Sequence, residues 1–93
     1  MDEYNKSIKT INLTVEKAIR KSFISWNIKL DKPIKVIYLW KSKNYKKLKL
    51  PIVTVDYNKY RREWYVNYIP NHTDIYSSTI DDITGQISIT NST

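Results

Sequence analysis

The chain has 93 residues, with 16 Lys and Arg against 9 Asp and Glu for a formal net charge of +7, and its hydrophobic share of 41% includes eight tyrosines and three tryptophans. So much apolar material excludes a disordered chain, and the length fits one domain that buries roughly 60–65% of the surface its unfolded chain exposes. With no cysteine, disulfide bracing and thiolate metal sites are excluded as well.

The amino terminus, Met1-Asp2-Glu3-Tyr4-Asn5-Lys6, is acidic and leads into no apolar stretch, so it reads as neither a signal peptide nor a membrane span. With Met1 as the native start this implies the cytoplasm, and a removed leader would place the protein outside it. The first six residues are expected to fray. Val15, Ala18, Ile19, Ser22, Phe23 and Trp26 then fall on one face at helical spacing, with Glu16, Lys17, Arg20 and Lys21 largely opposite, which predicts an amphipathic helix over 15–26. Thr14 suits the N-cap, and Leu13 can pack on Ala18 as a hydrophobic staple.

Pro33 biases Lys32 toward extended backbone, and the β-branched and aromatic run that follows predicts a strand at 34–41. A second strand is expected at 48–56, where Pro51 cannot donate a ladder hydrogen bond and so argues for a bulge or a sheet edge, such an edge being blunted or paired in a homodimer. Tyr57 to Arg62 turns the chain, Glu63 to Ile69 alternates cleanly, and further strands are expected at 74–80 and 86–90. Gly85, the only glycine, marks a tight turn at positive φ between the last two. The fold expected is α+β, one amphipathic helix packed on a four- or five-stranded antiparallel sheet in two layers.

The helix opening Leu13-Thr14-Val15-Glu16-Lys17-Ala18-Ile19, the strand Trp64-Tyr65-Val66 and the turn Ile80-Asp81-Asp82-Ile83-Thr84-Gly85-Gln86-Ile87 together resemble the PepSY domain pattern. The resemblance covers about Leu13 to Ile89. It implies a cystatin-like helix-on-sheet fold, no catalysis, and a role in inhibiting or regulating a protein partner, often a peptidase and usually outside the cytoplasm. This chain departs from the pattern in its basic character, its lack of a leader and its lysine-rich middle.

Asp81, Asp82 and Thr84 beside Gly85 invite a calcium reading, but the spacing lacks the alternating ligands and terminal bidentate glutamate of an EF-hand. A structural turn, in which an Asp side chain accepts backbone N–H groups, accounts for them, and no metal is expected. His72 is the sole histidine and has only Asp74 nearby in a loop. No nucleophile elbow or glycine-rich phosphate loop accompanies it, so neither an enzyme nor a cofactor is expected.

Charge is polarised: residues 1–69 hold all sixteen basic groups and six acidic ones, while residues 70–93 hold three acidic groups and no Lys or Arg. Lys41, Lys43, Lys46, Lys47 and Lys49 crowd around Tyr45, and Lys59, Arg61 and Arg62 adjoin Tyr57 and Tyr60. Gathered at one end of the sheet, these residues would hold a phosphate backbone and stack unpaired bases. As a solvated surface they keep the protein soluble and blunt strand edges. Tyr57, Tyr60, Tyr65 and Tyr76 are candidates for the face away from the helix, a surface suited to protein recognition. The reading is a non-enzymatic binding module with a protein partner, the alternative being nucleic-acid binding through Lys41–Lys49 and Arg61/Arg62.

Overall fold

Thr14 starts the only helix among the described residues. Its backbone is extended, and its Oγ1 accepts the Lys17 N–H at 3.2 Å, satisfying one of the donors a helix leaves unpaired at its first turn. The computed structural model describes residues 13–41 and 48–92, and the helix α1 spans Val15–Trp26. It stops at Asn27, whose φ of 61° is the left-handed conformation that Asn tolerates, with its N–H donated to Ile24 O at 3.0 Å. Ala18, Ile19, Ser22, Phe23 and Trp26 form the buried face, as their spacing predicts.

Five strands follow: β1 (Lys35–Tyr38), β2 (Ile52–Asn58), β3 (Glu63–Ile69), β4 (Ile75–Asp81) and β5 (Ile87–Ser92), arranged side by side in chain order. From β2 to β5 the pairing is antiparallel, but β1 runs parallel to β2, with Lys35 opposite Ile52 and Tyr38 opposite Val55. The expectation of an all-antiparallel sheet is therefore corrected to a mixed one. Thirteen residues separate β1 from β2, about the dozen that a crossover between parallel strands needs, whereas a hairpin would need only a few.

Two further expectations change with it. Strand β1 has four residues rather than the eight of 34–41, because the Lys41 N–H donates to Tyr38 O at 2.9 Å and turns the chain. Pro51 lies just before β2 and not inside it, and β2 is paired on both sides. A residue with no N–H is tolerated one position outside the ladder. Among the described residues the margins of the sheet are thus β1 and β5, and the edge expected around Pro51 is not an edge.

α1 lies on the face that carries Val53, Val55 and Tyr57 of β2, Trp64, Val66 and Tyr68 of β3, and Tyr76 and Ile80 of β4. Phe23 meets Trp26 edge-on at 5.3 Å between ring centroids and Tyr68 at 4.8 Å, while Trp26 meets Tyr76 at 5.9 Å. A polar link crosses the same layer: Ser22 Oγ lies 2.6 Å from Ser78 Oγ and donates to Ala18 O at 2.8 Å, with both serines buried. The far face is partly covered too. Ile37, Ile52 and Thr54 are buried there, and Leu48 and Leu50, ending the β1–β2 connection, line a concavity with Ile52, Ile69 and Ile75.

A candidate binding cleft at one end of the sheet

Because β1 and β2 are parallel, their carboxyl-terminal ends meet at the same end of the sheet as the β2–β3 turn. Trp40, just past β1, is thereby brought beside residues of the 56–65 segment, although it lies far away in sequence. The result is an open cleft of about 560 Å³ lined by Trp40, Tyr57, Tyr60, Trp64 and Tyr65, with Asp56, Asn58 and Lys59 as its polar lining.

The turn is shaped by Asn58, whose Oδ1 accepts the N–H groups of Tyr60 at 3.0 Å and Arg61 at 3.1 Å. Arg62 takes φ 53°, and its carbonyl accepts the Asp82 N–H at 2.9 Å, tying the hairpin to the β4–β5 connection. Tyr60 at the tip is 87% exposed. Across the cleft Trp40 is 48% exposed and stacks on Tyr38 at 5.3 Å with 22° between ring planes. Two of the protein's own cations lie over these rings, Lys41 Nζ 5.5 Å from the Tyr38 centroid and Lys59 Nζ 5.3 Å from that of Tyr60.

Tyr65 donates its hydroxyl proton to Glu63 Oε1 at 2.8 Å, and that hydrogen bond is the first cause of its raised pKa. Glu63 also receives Arg61 Nε at 3.3 Å. Tyr57 is set against Trp64, 4.8 Å between centroids, and its pKa is raised first by burial and then by the Asp82 charge, with Arg62 opposing. Of the four tyrosines expected on the face away from the helix, Tyr65 alone is a strand residue of that face. Tyr57 and Tyr76 belong to the helix side, opposite Trp64 and Tyr68, because the period of two along β2 and β4 assigns them there.

The basic residues divide. Lys41, Lys59, Arg61 and Arg62 share the cleft end, while Lys49 precedes β2 and lies at the opposite end of the sheet. Lys43, Tyr45, Lys46 and Lys47 lie outside the described residues, as does the amino terminus expected to fray. Carboxylates stand among these cations, with Asp56, Glu63 and Asp81 on the same strand ends and turns and Asp82 buried behind them. Nothing in a strand expected at 34–41 singles out Trp40; the turn at 39–41 takes it out of the strand.

The β4–β5 turn follows its expected chemistry, divided between two residues. Asp81 Oδ1 accepts the N–H groups of Ile83 at 2.8 Å and Thr84 at 3.1 Å, which hold its carboxyl below the usual range, and Gly85 takes φ 78°. Asp82 is 1% exposed and turns inward, where its Oδ1 accepts Trp64 Nε1 at 2.8 Å and the Leu13 N–H at 2.9 Å. His72 is exposed in a loop organised by Asn71, whose Oδ1 accepts from Thr73 N, Thr73 Oγ1 and Asp74 N. Among the described residues no three His, Cys, Asp or Glu side chains come together as a metal site, and no helix is long and apolar enough to cross a membrane.

The fold and cleft together define an α+β protein with one helix on a mixed five-stranded sheet and an open aromatic surface at one end. No protein-family model, no curated protein and no solved structure matches the chain.

Proposed function

We propose that the chain is a non-enzymatic binding module that holds an exposed segment of a protein partner in the cleft between Trp40 and Tyr60. The observation that carries this reading is the pair of solvent-facing rings, Trp40 and Tyr60 at 48% and 87% exposed, in the lining of one open cleft at the sheet end to which Tyr57, Trp64 and Tyr65 also contribute. Rigid aromatic side chains give contact area at low rotamer cost, and the hydroxyl and indole groups at their tips hydrogen-bond a partner's backbone. An open groove suits a chain segment better than an enclosed small molecule. The PepSY-like turn Ile80–Ile87 and the helix ahead of an antiparallel run β2–β5 support the cystatin-like form of this reading, in which binding inhibits or regulates the partner.

Nucleic-acid binding is the second reading, favoured by Trp40, Lys59 and Tyr60 lining one cleft, with Lys41, Arg61 and Arg62 at the same end of the sheet. The carboxylates Asp56, Glu63 and Asp81 at that end oppose it, since phosphate recognition depends on net positive charge at the contact surface. Affinity capture from cell extract separates the two, comparing the native chain with a Trp40→Ala/Tyr60→Ala variant, each with and without nuclease. Proteins retained by the native chain after nuclease and lost by the variant are the expected result. Capture that nuclease abolishes, or that the variant reproduces in full, overturns the reading.

A further inference from the structure

We infer that β5 is a self-association edge, through which two copies of this chain pair antiparallel about a two-fold axis and continue one sheet into the other. At a sheet margin every second residue turns its N–H and C=O away from the neighbouring strand, leaving a template for another strand. The two margins differ in how they treat that template. β1 is four residues long, carries Lys35, and is flanked by Lys32, Pro33 and Lys41, the devices that blunt an edge. β5 has six residues, Ile87-Ser88-Ile89-Thr90-Asn91-Ser92, and none of them is charged or a proline.

Charge selects a second copy as the occupant. A protein of net charge +7 repels its own kind over most of its surface, but residues 70–93, which supply β4 and β5, contain no Lys or Arg. The cation placed beside this region is Lys21 of α1, whose Cε and Nζ reach to within 3.8 Å of where a Gly85 Cβ would stand, at the start of β5. Antiparallel pairing sends the two Lys21 side chains to opposite ends of the joined strands. Six residues at about 3.3 Å each separate them by roughly 20 Å, beyond the Debye length at physiological salt.

The side chains agree with the backbone. Ile89 is opposite Ser78 on the helix side of the sheet, yet it is 44% exposed because nothing described lies beyond it. A two-fold that passes at Ile89 sets Ile89 of each copy opposite the other on the same face and covers both. The symmetric dimer is also the commonest closed assembly.

Sedimentation equilibrium of the full chain over a wide concentration range, up to about 1 mM, tests this. The expected mass is twice the 11.1 kDa of one chain. Ile89→Lys places two like charges at the axis and is expected to give the single-chain mass with unchanged far-UV circular dichroism. Ser88→Lys, on the opposite face of the same strand, gives the same outcome if Ile89→Lys perturbs folding. A native chain that stays at single-chain mass throughout overturns the inference. So does a dimer that persists in folded Ile89→Lys and Ser88→Lys, since its interface then lies elsewhere.

Discussion

The Trp64 indole N–H donates to Asp82 Oδ1 at 2.8 Å inside the protein, and the same oxygen accepts the Leu13 N–H at 2.9 Å. One carboxylate thus joins the start of β3, the β4–β5 turn and the lead-in to α1, three segments far apart in the chain. Asp82→Ala leaves both donors without that acceptor in a buried site, and the expected loss is about 2–4 kcal/mol of unfolding free energy. Asp82→Asn keeps one acceptor oxygen and is expected to cost less. Urea denaturation read by tryptophan fluorescence checks both. Equal midpoints for Asp82→Ala and the native chain would show that this carboxylate does not hold the three segments together.

The buried serines Ser22 and Ser78 are expected to respond unequally. Ser22 keeps its bond to Ala18 O when Ser78 becomes alanine, so Ser78→Ala should be the milder change. Ser22→Ala removes the partner of the Ser78 hydroxyl and is expected to cost about 1–3 kcal/mol. The double alanine variant should recover part of that loss, giving a coupling of about 0.5 kcal/mol or more in a double-mutant cycle. Additive effects would mean that the two hydroxyls are not paired in solution.

Gly85 separates backbone strain from crowding. A Cβ there would meet only the flexible end of Lys21 at 3.8 Å, so space is available and the φ of 78° carries the cost. Gly85→Val is expected to lose about 1–2 kcal/mol or more, whereas Gly85→Asn, better suited to left-handed backbone, should lose distinctly less. Thermal and chemical melts of the two variants provide the comparison. Identical melts for valine and asparagine would contradict the turn geometry.

Stability at the extremes of pH follows from the shifted groups, Asp81 on the acid side and Tyr57 and Tyr65 on the alkaline side. Asp81 has a lowered pKa, first through the Thr84 N–H and then through that of Ile83, so its contribution is present above its unfolded pKa and disappears as pH falls through the folded value, below about pH 4. Asp81→Asn retains an acceptor oxygen for the turn and should flatten that acid limb. Tyr65 has a raised pKa, so its contribution is complete below about pH 10 and fades as pH climbs through the higher folded value. Tyr65→Phe should weaken the alkaline limb and leave the part that the raised pKa of Tyr57 supplies. Denaturation midpoints measured across both limbs check the signs, and a variant limb that matches the native one refutes the corresponding assignment.

Local order was legible where one residue's chemistry was enough. Thr14 as N-cap, the buried face from Ala18 to Trp26, the Glu63–Ile69 strand and the positive φ at Gly85 all follow from spacing or from a single side chain. The cleft was only partly readable. Tyr57 and Tyr60 stand out beside Arg61 and Arg62 in the sequence, but nothing along the chain announces that Trp40 meets them. That meeting depends on β1 running parallel to β2, a choice made by a connection whose composition does not encode direction. Asp82 was hidden for a similar reason, since a turn carboxylate and a buried one look alike until the core closes around them.

By itself the amino-acid sequence determined one amphipathic helix, a set of alternating strands, a glycine turn and a positive charge confined to the first 69 residues, because each depends on neighbours within a few positions. The tertiary structure alone decided the parallel first pair, the interior position of β2, the cleft end where cations and carboxylates are gathered, and the inward turn of Asp82. Those outcomes rest on contacts between distant segments, whose loop-closure cost is offset only when the whole sheet and helix pack together.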